Sequence, residues 1–285
     1  MGRMMQRLLQ WQHLRKKSDH ATRTLVLFFF VTVLLGTILL SLPVSSKIGE
    51  SCGLLTALFT ATSATCVTGL SPVDTFSQWS TMGQVVLLGL IQVGGLGYMM
   101  VVSVAYFLLR RRIGLRERLI LQQAMALNEL DGIIRLVRMV LAGTGLVEGL
   151  GAVILSIRFL SWMPVGQAVW YGVFHAISAF CNAGFDLMGA FAPGSSLTLL
   201  AGDVVVNVTI MALILIGGLG FFVWNDLLMH RFRWKRLAVH TKLVLLITGG
   251  LTLAGTGLLL AVEWSNPQTL GALAPGKRVL AAAFQ

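Results

Sequence analysis

The chain has 285 residues, 56% of them hydrophobic and 12% charged, with 31 glycines, a mean hydropathy of +0.81 and a formal net charge of +11. Soluble domains carry about 25% charged residues, so an ordinary soluble enzyme, a disordered tail and a secreted disulfide scaffold are excluded. The basic excess raises nucleic acid as a partner, but the charges fall in alternate loops and not on one soluble face. The sequence is that of an integral membrane protein whose surroundings are the lipid bilayer, with no nucleic-acid surface.

A basic leader, residues 1–24, carries Arg3, Arg7, Arg15, Lys16, Lys17 and Arg23. Met4, Leu8 and Trp11 share one helical face of it, which suits the membrane surface. Five apolar segments then follow that are long enough to cross as helices: Leu25–Leu42, Gly83–Leu109, Met139–Ile157, Val204–Trp224 and Leu243–Val262. The first is expected to be an uncleaved anchor. The leader and the connections 110–138 and 230–242 hold 18 of the 22 Lys and Arg, leaving Lys47, Arg158, Lys277 and Arg278 on the other side. By the positive-inside rule the N-terminus is cytoplasmic, in a multi-pass protein of the plasma or inner membrane.

Two further apolar segments, Gly53–Ala64 and Ala168–Phe180, have only twelve and thirteen residues. That is the length of re-entrant helices, and both fall in external loops. They resemble each other: LFTATSATCVTGL (58–70) and VFHAISAFCNAGF (173–185) share Phe, Ala, Ser, Ala, Cys and Gly at an offset of 115. Downstream, Gly94-Gly95-Leu96-Gly97 matches Gly217-Gly218-Leu219-Gly220. Each repeat is therefore expected to be a helix, a re-entrant helix followed by an extended glycine-containing strand, and a helix with a GGLG break. Both copies have the same membrane orientation, so their pseudo-axis is parallel to the membrane normal.

Such a unit suits ion conduction. A short helix that ends inside the membrane puts its negative pole near a cation, and the following carbonyls can replace the ion's hydration shell. The candidate filter residues are Thr65, Cys66, Val67, Thr68 and Gly69 in one copy, and Phe180, Cys181, Asn182, Ala183 and Gly184 in the other. The ion is bound by backbone carbonyls, with no side-chain metal site. The GGLG elements are expected to be places where helices bend or pack closely.

At these residues the chain resembles the Ktr/Trk/HKT superfamily of potassium and sodium transporters, in particular the bacterial Ktr membrane subunit. The stretches that carry the resemblance are LFTATSATCVTGLSPVDT (58–75), LIQVGGLGYM (90–99), RRIGLRERLILQQA (111–124), FHAISAFCNAGF (174–185), IGGLGFF (216–222), HTKL (240–243) and EWSNPQTLG (263–271). The resemblance implies an all-α membrane fold of tandem helix–pore-loop–helix units around a pseudo-fourfold ion pore. It also implies potassium uptake, a homodimer, and a cytoplasmic ring of nucleotide-binding regulatory subunits, any nucleotide being held by that partner. A filter glycine in the family goes with potassium and a serine in the first loop with sodium, so Gly69 favours potassium. The alternatives are sodium or sodium-coupled potassium transport, and a non-conducting scaffold or assembly subunit.

The units are expected at 25–109 and 139–229, separated by the cytoplasmic connections 110–138 and 230–242, with an incomplete third unit at 243–285. Val279–Gln285 would open the third short helix, because Phe284 aligns with Phe59 and Phe174. The chain is accordingly expected to be part of a four-unit transporter.

Other residues have narrower expectations. Cys66 and Cys181 are expected to pack behind the filters, since three cysteines suggest no disulfide framework. His175, aligned with Thr60, should support the filter by hydrogen bonding. Glu148 is the one acid inside a span, where an unpaired charge costs ~2.5–3.5 kcal/mol or more, so it should be protonated or hydrogen-bonded in packing. Asp74 and Asp186 follow the filters and suit an outer vestibule that concentrates cations, Asp74 less strongly. The connection around Arg112, Arg116 and Arg118 suits the inner leaflet or a cytoplasmic partner, and Trp234 an interfacial anchor. Nucleotide, zinc-protease and hydrolase motifs do not occur, and no pair of acids shares a span. The chain is not expected to be an enzyme.

Overall fold

The computed structural model describes Arg23, residues 25–108 and residues 133–285. Expectations for the basic leader (Arg23 apart) and for residues 109–132 lie outside these. The described residues form α1 (Leu25–Ser41), α2 (Leu54–Cys66), α3 (Thr75–Gln78), α4 (Thr81–Leu108), α5 (Ile133–Phe159), α6 (Val165–Phe180), α7 (Val204–Gly218), α8 (Phe221–Met229), α9 (Val239–Glu263) and α10 (Pro275–Phe284). Short 3₁₀ turns at Pro43–Ser45, Met188–Ala190 and Ser196–Leu200 link them. Among the described residues the protein is all-α, and its one extended pairing is an isolated bridge between Ser46 and Trp79.

Length and composition let two described helices cross a bilayer outright, Arg138–Phe159 of α5 and Val239–Glu263 of α9. The expected span Val204–Trp224 is not one helix: it is α7 and α8, bent by 90° with Gly220 (φ 85°, ψ 149°) at the break. Taken together this pair is a third candidate span. The expected span Gly83–Leu109 is likewise interrupted, at Gly97 (φ 75°, ψ 160°), which leaves an apolar helix Thr81–Gly97. α1 has the length of a minimal crossing and ends at Ser41, two residues before Pro43, which cannot donate to a helix ladder. α6 begins three residues before the expected Ala168, just after Pro164. α10 begins at Pro275, a favoured first helical position, and not at Val279.

Packing follows the repeat. α2 lies against α4 and α6 against α7, while α5 packs along α6 and α4 touches α6 to join the two units. Leu40, Trp79, Leu87, Ile91, Leu155, Phe159, Tyr171, Phe174 and Leu187 form the fully buried centre. Polar side chains also tie the elements. The Trp170 indole donates to Gln84 Oε1 (2.7 Å) across the two units, and Gln84 Nε2 donates to Trp79 O (3.1 Å). Arg158 at the end of α5 pairs with Asp203 (2.7 Å), the residue whose side chain caps α7 through Val206 N–H. Along α9, Leu246, Leu251, Leu253, Leu258 and Val262 are 61–77% exposed. Lipid tails are as apolar as leucine, so such a face is stable in a bilayer.

Candidate functional site

α2 and α6 end in the same backbone device. The Thr68 N–H reaches back to Ser63 O (3.0 Å), and the Ala183 N–H to Ser178 O (2.7 Å). Val67 (φ 57°) and Asn182 (φ 58°) sit in the left-handed region just before those donors. Gly69 (φ 73°) and Gly184 (φ 72°) follow two residues later, again at positive φ. This is how a helix is closed when its chain must turn away at once. Asparagine tolerates the left-handed region. A β-branched valine does not, and holding it there costs ~1–3 kcal/mol. The segment after each short helix is thus a left-handed turn and a positive-φ glycine, not the plain extended strand the sequence suggested.

The two turns meet at their glycines. A Cβ on Gly69 would lie 2.9 Å from Ala183 O and 3.4 Å from Gly184 Cα, and one on Gly184 would lie 3.2 Å from Gly69 Cα. Residues 65–69 and 180–184 are therefore brought together. Thr65, Phe180, Cys181 and Ala183 are buried there. Thr65 Oγ1 is buried without a hydrogen-bond partner. The cysteines differ: Cys181 is buried and Cys66 exposed.

Side chains on the short helices brace the turns. The Ser63 and Thr68 hydroxyls pair at 2.8 Å, and Ser178 Oγ donates to Phe185 O at 2.6 Å. Thr60 Oγ1 donates to Thr56 O (2.8 Å), and the aligned His175 makes the same contact through Nδ1 to Tyr171 O (2.7 Å). His175 Nε2 then accepts the Leu187 N–H (3.2 Å). Those partners place the ring proton on Nδ1. The ring ties α6 to the chain that leaves the turn, as expected of a supporting residue. Changing His175 to leucine strands a buried N–H, a loss of ~1–3 kcal/mol. The purified variant should melt several degrees lower, and an unchanged melting temperature would show the bond to be dispensable.

The GGLG elements both pack and break. A Cβ on Gly94 would collide with Thr65 O, and one on Gly217 with Phe180 O, so each first glycine seats the end of its own unit's short helix. Gly95 instead faces the next unit, where its Cβ would lie 2.5 Å from Cys181 Sγ. The last glycines, Gly97 and Gly220, carry the breaks.

The two acids have local partners. Asp74 caps α3, accepting from Ser77 N (2.8 Å) and Oγ (2.7 Å), and Asp186 accepts from Met188 N (2.8 Å) and Ser196 Oγ (2.9 Å). Asp186 also lines a cavity of ≈ 380 Å³ with His175, Ser178, Asn182 and Gly184. Lys47 stands 3.1 Å over the Phe76 ring. Partial burial lowers its pKa, and nearby Asp74 opposes that shift. Glu148 accepts from Gln92 Nε2 at 3.1 and 3.3 Å, so it is hydrogen-bonded in packing as expected. The described residues hold no cluster of three or more His, Cys, Asp or Glu suited to a metal.

The sequence did not point to Gln92 or to a bracing role for Ser63 and Ser178. The serines carried a signal, since they coincide in the repeat. Gln92 carried only its polarity within an apolar stretch.

Comparison with known proteins assigns the family. Residues 4–285 match the TrkH family, described as cation transport protein. The potassium/sodium uptake protein NtpJ of Enterococcus hirae is 40% identical over 235 residues, 82% of this chain and 51% of that protein. Ktr system potassium uptake protein B of Bacillus subtilis is 40% identical over 265 residues, 92% of this chain and 57% of the relative. The protein of the same name in Vibrio alginolyticus is 37% identical over 276 residues, 95% of this chain and 58% of the relative. The chain thus spans between half and three fifths of these relatives' length.

Proposed function

Because the chain belongs to the TrkH family of cation transport proteins, transporters and not enzymes, we propose that it supplies two units of a potassium uptake pore. In this reading the carbonyls of residues 65–68 and 180–183 replace the water around a potassium ion. Gly69 and Gly184 let the two filter segments approach. The observation that carries the reading is the identical turn in both repeats, a left-handed residue and then a positive-φ glycine, with the two glycines in contact. A carbonyl filter needs such repetition, because equivalent backbone atoms must surround one axis.

The contact of Gly95 with the next unit's Cys181 supports a rotational arrangement, each unit's GGLG helix backing its neighbour's filter. We place the N-terminus in the cytoplasm of a plasma-membrane protein, from the distribution of basic residues. Inward movement of each potassium ion is then favoured by ~2.3 kcal/mol per 100 mV. The units are assigned to 25–109 and 139–229, with 243–285 beginning a third of four. A homodimer on a nucleotide-binding cytoplasmic ring is the assembly this family resemblance favours. Sodium is the second reading, favoured by the likeness to the Enterococcus potassium/sodium uptake protein.

The test is complementation. The full-length transporter, expressed in cells that lack potassium uptake, should restore growth on low potassium. Absence of rescue with the protein present in the membrane would overturn the potassium reading, and rescue that depends on added sodium would favour sodium coupling.

A further inference from the structure

The second filter segment is held from behind by a polar chain that crosses both units. Glu148 lies in the apolar part of α5 and is 9% exposed. Gln92 of α4 places its Nε2 3.1 Å from Glu148 Oε1 and 3.3 Å from Oε2, so one amide group straddles the carboxyl. With its NH₂ turned to the acid, Gln92 presents Oε1 to Cys181 Sγ at 3.9 Å, where the thiol is the donor. Three residues along the same helix, Gly95 also lies against that thiol, and a Cβ there would lie 2.5 Å from Sγ. Cys181 immediately precedes Asn182, whose left-handed backbone aims Ala183 and Gly184 at Gly69. The arrangement is absent from the matching place in the second unit, where Leu215 stands in register with Gln92.

We propose that Glu148 is a positioning residue for the second filter segment, acting through the Gln92 amide on Cys181. The acid orients the amide, the amide oxygen and the close-packed Gly95 hold the thiol against α4, and the held thiol sets the start of the Asn182 turn. Its role is to keep one filter segment in register with the other, and it does not touch the ion. The proposal rests on the reading of residues 180–184 as a filter segment.

The test uses the full-length transporter in membranes and two readouts: potassium-to-sodium flux ratio, and the rate at which N-ethylmaleimide modifies Cys181, followed on its own peptide by mass spectrometry. Glu148→Leu leaves the amide unheld. It should lower the flux ratio several-fold and speed modification of Cys181 about tenfold, the factor that ~1.4 kcal/mol corresponds to. Glu148→Gln still offers an oxygen to Gln92 Nε2 and should stay near the parent on both. Gln92→Leu should reproduce Glu148→Leu, and combining them should add little, as expected for residues acting in one chain. If Glu148→Leu does not reach the membrane, Gln92→Leu reads the same link.

Parent-like selectivity and labelling in both leucine variants would overturn the proposal. So would a Glu148→Gln variant as impaired as Glu148→Leu, because that would make the charge and not the hydrogen bond decisive. Gly184→Ser separates the two readings. If it leaves selectivity unchanged, the filter assignment has failed. If it shifts selectivity while the leucine variants do not, only the positioning role has.

Discussion

Replacing Gly69 by serine in the full-length transporter should cut potassium uptake about tenfold or more and raise the share carried by sodium. Gly69 has φ 73°, and an added Cβ would meet Ala183 O at 2.9 Å and Gly184 Cα at 3.4 Å. A residue other than glycine in such a conformation costs ~1–3 kcal/mol, and each ~1.4 kcal/mol is a factor of ten. The obstacles are backbone atoms of the facing turn, so they cannot swing aside as a side chain would. Relief must come from shifting the carbonyls that would bind the ion, and potassium selectivity should suffer first. Potassium and sodium tracer uptake in the same vesicles measures both effects. Unchanged uptake and selectivity would mean that the meeting of the two glycines is not where ions are selected.

The second large effect is expected at the GGLG elements. Gly94→Val and Gly217→Val would each drive a side chain into the carbonyl that ends a short helix, Thr65 O and Phe180 O respectively. Overpacking of this kind costs ~1–3 kcal/mol, here delivered directly to the turns proposed as the filter. Both variants should lose most of their uptake and melt at lower temperature. Gly89 on the same α4 helix is the control, because a Cβ there would have nothing within 4 Å. Gly89→Ala should keep full uptake and gain slightly in stability, since alanine is the better helix former by about 1 kcal/mol. Equal tolerance at Gly94, Gly217 and Gly89 would contradict the seating role of the GGLG glycines.

Much of this was legible in the sequence because the code for it is repetitive. The offset between Phe59-to-Gly69 and Phe174-to-Gly184 placed the two matching turns, and the GGLG match placed both breaks. Hydropathy located the long helices of α5 and α9, which are long and apolar enough to cross a bilayer. It could not see that Val204–Trp224 folds back by 90°, because an apolar run reads the same whether straight or bent. Nor could spacing show Val67 in a left-handed conformation, which is unfavourable for valine and is held by the Ser63 contacts. Asp74 and Asp186 were both read as vestibule acids, Asp74 less strongly, and spacing could not show that each carboxylate is engaged by local N–H and hydroxyl groups. The Gln92–Glu148 bond joins residues 56 positions apart, and no local pattern announces a contact made by tertiary packing.

The central claim is that a cation is held by backbone carbonyls where the two repeats meet. Crystals of the full-length transporter grown with thallium, a potassium substitute with strong anomalous scattering, address it directly. The account predicts anomalous density on the pore axis, bounded by the carbonyls of residues 65–68 and 180–183. Density confined to side-chain carboxylates such as Asp74, Asp186 or Glu148, with none at those carbonyls, would contradict it.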